Sequence, residues 1–285
     1  MRLSDLRIHP VKSLAPVPLR HARVEPWGLA GDRRWMLVDA TGKMVSQRED
    51  PRLGQLTAAL PAPDVVEVTA PGGDSVTVAA PHGGPLLPVT LFGLAFEAVD
   101  AGDEAAAWFS KVLGTDLRLV HQDRAERRSP MPVPTSLADG YPLLLTSTAS
   151  LVALNALIAA DHPEDPVRGA PVPMGRFRSN LVVDGAEAWA ETGWKRILVG
   201  AVEFQVEQQC GRCVITTLDP DTGARRGPEP LRALARHRRF GDALAFGMQM
   251  TPVGALGEVR VGDPVTVLES GPLPAPTRRS ASPSE

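Results

Sequence analysis

Two cysteines, Cys210 and Cys213, are the only thiols of the 285-residue chain, and they form a C-x-x-C pair. Such a pair occurs as a redox dithiol, as half of a metal site, or as two small apolar side chains in a core. Arg212 directly precedes Cys213, and a neighbouring cation favours a thiolate, the form that binds soft metals. Two thiols cannot complete an all-cysteine iron–sulfur cluster or zinc site. If the protein moves electrons, a bound cofactor or a partner must therefore supply them.

A second group of residues is cationic or polar and lies next to the ends of predicted strands. Lys12 and Ser13 follow the extended dipeptide His9-Pro10, Asp32 and Arg33 stand at the start of a predicted strand, and residues 176–180 (RFRSN) precede another strand. Each of them alone is typical of a solvated face. If they converge, however, they would bind one anionic ligand, because arginine makes bidentate contacts to phosphate. The sequence contains no glycine-rich phosphate loop of the P-loop or Rossmann type.

Composition and charge exclude several classes of protein. The formal net charge is −3, from 30 Lys and Arg against 33 Asp and Glu, which argues against a nucleic-acid partner. No apolar run reaches the roughly 18 residues of a membrane-spanning helix, and the N-terminus lacks the apolar core of a signal peptide. With two cysteines there is no disulfide framework, so we expect a cytoplasmic protein that makes no contact with membranes.

The elements that must position these residues are mostly strands. Pro (28) and Gly (26) separate many short apolar runs, a pattern that predicts strands joined by turns in a sandwich or barrel. Strands are predicted at 34–39, 44–47, 65–69, 75–78, 96–99, 117–121, 180–183, 196–199, 204–207, 257–261 and 264–268. Helical spacing is restricted to three segments, which are 103–113, 147–160 and 230–240. The fold class is therefore mostly β with a few helices.

The polar, proline-rich stretch at 123–134 is the best candidate for a domain boundary. It predicts two domains, over residues 1–123 and 124–270, with the first strands of the chain packing against the second domain. Residues 271–285 have almost nothing to bury and are expected to form a disordered tail.

Six segments, in this order along the chain, resemble the MOSC family, which is named after the C-terminal domain of molybdenum cofactor sulfurases. They are HPVKSL (9–14), GDRRW (31–35), PLLLTSTASL (142–151), RFRSN (176–180), CGRCVITTLDPDTG (210–223) and VGDPV (261–265). Within the family, the resemblance is greatest to the amidoxime reducing components and their bacterial relatives. It implies a β-rich N-terminal domain packed against a MOSC β-barrel, with the molybdenum cofactor (molybdenum-molybdopterin) bound between them.

The resemblance also implies roles for individual residues. Cys213 matches the family's molybdenum ligand and is therefore the predicted catalytic and metal-binding residue, with Cys210 as its neighbour. The positions that match cofactor contacts are Lys12, Ser13, Arg33, Thr146, Ser147, Arg178, Asn180 and Arg212. A helix beginning near Ser147 would add backbone donors for an anion. The sequence departs from the family at Gln249, where relatives carry an aromatic residue.

The activity implied by the resemblance is the reduction of small N-hydroxylated compounds, such as amidoximes and hydroxylamines. Electrons would come from a separate iron–sulfur, haem or flavin protein. The alternative is a MOSC sulfur-carrier or cofactor-binding module in which Cys213 carries a persulfide, because both roles need an accessible thiolate. A β-rich interaction protein with buried cysteines is the third interpretation.

Overall fold

Nineteen strands and three α-helices form the regular structure of residues 1–272, the part of the chain that the computed structural model describes. The strands are β1 (Arg2–Ile8), β2 (Val17–Pro18), β3 (His21–Glu25), β4 (Gly28–Leu29), β5 (Trp35–Asp39), β6 (Thr57–Ala62), β7 (Val65–Thr69), β8 (Ser75–Ala79), β9 (Leu86–Leu91), β10 (Leu94–Asp100), β11 (Leu117–His121), β12 (Leu143–Ser147), β13 (Leu181–Asp184), β14 (Trp194–Val199), β15 (Val202–Gly211), β16 (Arg239–Phe240), β17 (Ala243–Val253), β18 (Glu258–Arg260) and β19 (Val265–Ser270). The helices are α1 (Asp103–Leu113), α2 (Thr148–Asp161) and α3 (Leu231–His237). The prediction of a mostly β fold with a few helices is confirmed.

The largest sheet joins the two ends of the chain. Its strand order is β19-β14-β15-β17-β12-β13-β1-β2, with β16 paired to β17. Strands β12 and β13 are parallel, whereas β1 pairs with β13 in antiparallel fashion. The first two strands of the chain therefore belong to the same sheet as the C-terminal strands.

Three smaller sheets complete the fold. One has the order β5-β11-β10-β9, a second has β6-β7-β8, and a third has β18-β3-β4. The predicted domain boundary falls in the segment between β11 and β12, which contains no strand, and the division at residue 123 stays a prediction. Of the predicted tail, residues 273–285 lie outside the described part of the chain.

Four clusters of buried hydrophobic side chains lie within residues 1–272, and the two largest stabilise these sheets. Leu3, Leu6 and Phe204 lie in the core of the large sheet, and Leu37 and Phe109 lie in the core between α1 and the sheets of the N-terminal half. Side chains alternate between buried and exposed along strands such as β8, as expected for a sheet with one solvated face. Burial of these apolar side chains is the main force that holds the sheets together.

Local sequence explains where α1 begins and ends. Asp103 and Glu104 lie in its first turn, where acidic side chains interact favourably with the helix dipole. Gly114 ends the helix in the left-handed conformation, with φ of 71°, and its N–H donates to the carbonyl of Ser110.

Two of the predicted elements differ in the structure. Residues 44–47 do not form a strand; Met44 makes one isolated bridge, with Val38. The predicted third helix ends early, at His237, and Arg239–Phe240 instead form strand β16 against β17. None of the helices in residues 1–272 has the length and hydropathy required to cross a membrane.

Candidate functional site

A cleft forms where loops from both halves of the chain meet. Its floor and walls come from the turn after β1, the turn before β5, the loop before β12, the segment before β13, and the end of β15. Among the residues that line it are Lys12, Ser13, Arg33, Arg48, Asp139, Tyr141, Phe177, Arg178, Asn180, Cys210, Arg212, Cys213, Thr216 and Gln249. The structure therefore brings together seven of the nine predicted site residues, although they come from distant parts of the sequence.

Cys213 follows β15 and precedes a 3-10 turn over Val214–Thr217. Its carbonyl accepts two hydrogen bonds from Thr216, at 3.0 Å from the backbone N and 2.9 Å from Oγ1, which fix the backbone at this point. The side chain is half-buried, and Nη2 of Arg48 lies 3.3 Å from its Sγ. The thiol is thus held by a rigid turn and faces a guanidinium.

Cys210 has a guanidinium partner of its own. Nη1 of Arg212 lies 2.8 Å from the Cys210 Sγ, and Nη2 of the same side chain donates to the carbonyl of Phe177 at 2.7 Å. Both cysteines are free thiols. The predicted neighbour of the ligand therefore lies in the same cleft, but a different arginine contacts each sulfur.

Arg33 is anchored by three groups. It donates to Oδ2 of Asp32 at 2.6 Å, to Oδ1 of Asn180 at 3.1 Å, and to the carbonyl of Arg178 at 3.3 Å. Burial alone would raise the pKa of Asp32, but Arg33 and the hydrogen bonds with His9 hold that pKa well below its usual range. Asp32 is thus a buried carboxylate that fixes the orientation of Arg33.

His9 lies beneath these cations and is completely buried. Its backbone N–H donates to Oδ1 of Asp32 at 2.7 Å. Burial lowers the pKa of His9 well below its ordinary value, and the charges of Arg178 and Arg33 lower it further. The imidazole is therefore neutral, and it adds no positive charge to the cleft.

Lys12 is another buried cation of the cleft. Its Nζ donates to the carbonyl of Leu137 at 2.9 Å and to the carboxylate of Asp139. Burial lowers the pKa of Lys12 to about 8, and Asp139 opposes this shift only in part. Desolvation by the surrounding protein would raise the pKa of Asp139, but the charges of Lys12, Arg33 and Arg48 keep that pKa below its usual range.

Arg178 has no carboxylate partner within residues 1–272. It donates from Nη1 to the carbonyl of Leu14 at 2.8 Å. Burial, together with the like charge of Arg33, lowers the pKa of Arg178 to about 9. Arg33 has one carboxylate partner, Asp32, and Arg178 has none in the described part of the chain. The pair is therefore suited to an anionic ligand, which would neutralise the remaining charge.

Strained backbone is concentrated around the cleft. Within residues 1–272, five residues other than glycine have positive φ, and three of these line the cleft: Ser13 (72°), Arg33 (50°) and Arg178 (55°). A side chain in this left-handed region costs of order 1–3 kcal/mol and persists where surrounding structure enforces it, commonly at ligand sites. The clustering supports a binding role for this cleft.

Thr146 and Ser147 are the two predicted site residues that do not line the cleft. Both are completely buried, and the Thr146 hydroxyl donates to Oγ of Ser179 at 2.8 Å. Helix α2 begins directly after Ser147, close to the predicted start. The structure places these hydroxyls in the interior, and their role as cofactor contacts stays a prediction.

Reasoning from the sequence missed Arg48, Asp139 and Tyr141, which lie in loops without a recognisable motif. Thr216 could have been identified from the sequence, because it lies within the segment CGRCVITTLDPDTG (210–223) that resembles the family. Gln249, identified from the sequence as a departure from the family, does line the cleft, where its Oε1 accepts a hydrogen bond of 2.8 Å from Gln208.

The residues present fit an anionic, metal-bearing cofactor. Five cations line the cleft against a single carboxylate, that of Asp139. Within residues 1–272, no cluster of three or more His, Cys, Asp or Glu side chains could hold a metal ion. A metal held by Cys213 would therefore take its remaining ligands from a bound molecule, and the surrounding cations suit a molecule that carries phosphate.

Known proteins of one family are similar to this chain over most of its length. The model of the MOSC N-terminal beta barrel domain matches residues 1–116, and that of the MOSC domain matches residues 132–266. The chain is 33% identical to mitochondrial amidoxime reducing component 2 of Rattus norvegicus, over 92% of this chain and 82% of the relative. It is 31% identical to mitochondrial amidoxime-reducing component 1 of Homo sapiens, over 93% and 82%. A molybdenum cofactor sulfurase of Danio rerio is 32% identical over 87% of this chain but only 31% of the relative.

Proposed function

The chain belongs to the MOSC family, and from this premise we propose that it is a molybdenum-cofactor-dependent oxidoreductase that reduces N-hydroxylated compounds. The observation that carries the proposal is the convergence of Cys213 with five cations in one cleft. The names of the relatives, amidoxime reducing components, support amidoximes as the substrate class.

The proposal assigns roles to six residues in or beside the cleft. Cys213 would bind the molybdenum, and Arg48 would orient its sulfur through the contact of 3.3 Å. Lys12, Arg33 and Arg178 would bind the anionic part of the cofactor, with Arg33 oriented by Asp32. When bound, the cofactor supplies the two-electron chemistry that the protein side chains lack.

The proposed reaction balances as R–N–OH plus two electrons and two protons, giving R–N–H and water. The N–O bond breaks, and the oxygen leaves as water. The electrons must come from outside the chain, because its two thiols cannot hold an iron–sulfur cluster. We propose a separate iron–sulfur, haem or flavin protein as the donor; the cytoplasmic location stays a prediction.

The test is elemental analysis for molybdenum on protein expressed in a host that makes the cofactor, with Cys213→Ala alongside. We expect near-stoichiometric metal in the wild type and its loss in the variant. The loaded wild type should reduce an amidoxime with reduced methyl viologen and should be inactive with NADH alone. Turnover of the pure protein with NADH would contradict the need for a donor protein.

The sulfur-carrier alternative gives a different result in the same samples. Both thiols lie in the cleft, and each accepts a contact from a guanidinium, an arrangement that also suits a persulfide. That role predicts sulfur released by cyanide or dithiothreitol in the absence of molybdenum. Verified supply of cofactor, no bound metal and releasable sulfur would replace the reductase proposal by this one.

A further inference from the structure

Phe92 lies at the tip of the hairpin formed by β9 and β10, in an unusual backbone conformation. Leu91 pairs with Leu94, so Phe92 and Gly93 form a two-residue loop. Their φ angles are 49° and 84°, the positive values that a type I′ turn requires at both central positions. Asn-Gly is the preferred sequence for such a turn, and a bulky residue with positive φ is an outlier.

The ring of Phe92 lies beside the cations of the cleft. Its centroid is 5.4 Å from Nζ of Lys12 and 5.1 Å from Cζ of Arg48. Arg48 in turn lies 3.3 Å from the sulfur of Cys213. One cationic side chain therefore separates the phenyl ring from the candidate metal ligand.

More than half of the Phe92 surface is exposed, at 53%. A single exposed aromatic residue is ordinary, but one held in a strained turn at the mouth of a ligand cleft is not. Five non-glycine residues in residues 1–272 have positive φ, and three of them line the cleft. A fourth, Phe92, contacts the cleft residues Lys12 and Arg48. Strain of this kind persists where the surrounding structure or the function requires it.

We propose that Phe92 is a specificity-determining residue that stacks against the planar aromatic substituent of an N-hydroxylated substrate. The inference rests on the proposed function and adds to it a preference for aryl over small alkyl compounds. One ring offers the contact area of one aromatic substituent, whereas a protein partner requires several hundred Å² on each side. The observations therefore favour a small molecule over a docked electron-donor protein.

The experiment compares benzamidoxime with acetamidoxime, which differ only in phenyl against methyl. The loaded protein is assayed with reduced methyl viologen, so that no donor protein takes part. Loss of an aromatic pair corresponds to about a 3- to 10-fold change in affinity. We therefore expect Phe92→Asn to raise KM for benzamidoxime by about that factor and to change KM for acetamidoxime less than about twofold.

Three variants separate function from folding. Phe92→Asn places the preferred residue in the turn and should raise the melting temperature, so that its defect cannot be attributed to instability. Phe92→Tyr keeps the ring and should keep the substrate preference of the wild type. Leu86→Asn removes an exposed apolar side chain (42% exposed) from the other end of the same hairpin and should change neither KM.

Equal effects of Phe92→Asn on both substrates, or no effect, would overturn the proposal while leaving the reductase function intact. An effect seen only with a protein donor would show that Phe92 belongs to a docking surface, and it would also overturn the proposal. If the loaded wild type reduces neither amidoxime, the proposed function fails, and saturation-transfer NMR with benzamidoxime decides the inference separately. Phenyl-proton saturation that Phe92→Asn abolishes supports the stacking site, and saturation that persists in this variant overturns it.

Discussion

Nη2 of Arg48 lies 3.3 Å from Sγ of Cys213, although 165 positions separate the two residues in the chain. Arg48 comes from the loop that follows β5, and Cys213 from the turn that follows β15. Groups that hydrogen-bond to a metal ligand orient it and adjust the properties of the metal. The N-terminal half of the chain thus contacts the candidate ligand that the C-terminal half provides.

Replacement of Arg48 should lower the affinity for molybdenum without abolishing its binding. Arg48→Met keeps most of the side-chain volume but lacks a donor for Sγ, and the loss of such a contact typically costs about 10- to 100-fold in metal affinity or activity. The measurement is molybdenum retained after dialysis, together with the electron paramagnetic resonance signal of the partly reduced protein, which reports the geometry at the metal.

Arg20→Met is the matched control, because Arg20 is exposed and the change in charge is the same. It should retain molybdenum like the wild type. Equal loss in both variants would show that net charge, rather than the contact with Cys213, governs retention, and this outcome would contradict the role assigned to Arg48.

The two cysteines should differ in their response to substitution. Cys213→Ala should lose the molybdenum, whereas Cys210→Ala should keep most of it, because only Cys213 matches the ligand position of the family. Both side chains are half-buried, so the loss of packing is similar in the two variants. The measurement is the molybdenum content of each purified variant. Equal loss would point to a mechanism in which the two thiols act as a pair.

The helices and strands that could be predicted are those whose own sequence carries the signals for where they begin and end and a regular spacing of apolar residues. Helix α1 has its predicted bounds because acidic residues begin it and Gly114 ends it. Strand β17 could not be recognised, since most of its residues are buried without alternation and Gly247 and Pro252 interrupt the run. A strand of this kind is specified by its partners in the sheet, which are distant in the sequence.

The same distinction applies to the site. Cys213, Arg33 and Arg178 belong to short segments that a family resemblance identifies. Arg48 and Asp139 lie in loops whose residues resemble ordinary solvated charge, and they become part of the site only through contacts with distant residues. A local sequence pattern does not show which distant residues lie close together in the fold, so Arg48 and Asp139 can be assigned to the site only from the structure.

Arg178 should be required for binding of the cofactor but should contribute little to the stability of the cofactor-free protein. Arg178→Gln removes a charge that burial and Arg33 already disfavour, and it loses one hydrogen bond, to Leu14. The two effects oppose each other, so the free energy of unfolding of the cofactor-free protein should change by less than about 1 kcal/mol. Molybdenum content should nevertheless fall severely, because the anion loses a direct partner.

Arg118→Gln provides the opposite control. Arg118 forms ion pairs with Asp100 and Asp103, away from the cleft. Its loss should lower the melting temperature while leaving the molybdenum content unchanged. If Arg178→Gln instead behaves like Arg118→Gln, with a large fall in the melting temperature of the cofactor-free protein, then Arg178 is structural and not a ligand contact.

Lys12 should make the stability of the cofactor-free protein depend on pH in the alkaline range. Its pKa is lowered to about 8 in the folded protein, against 10.5 for an ordinary lysine. Between these values the unfolded chain binds more protons than the folded one, so the free energy of unfolding rises with pH. The difference between wild type and Lys12→Met should be constant below about pH 7 and then rise by up to about 1.4 kcal/mol per pH unit.

The measurement is urea unfolding of both proteins over this range, because ionisations common to both cancel in the difference. A bound phosphate-bearing cofactor would stabilise the ammonium form of Lys12. In loaded protein the rise should therefore begin at a higher pH than in cofactor-free protein. A difference that stays flat up to pH 10.5 in the cofactor-free protein would mean that Lys12 titrates as an ordinary exposed lysine. It would then be no part of a buried site prepared for an anion.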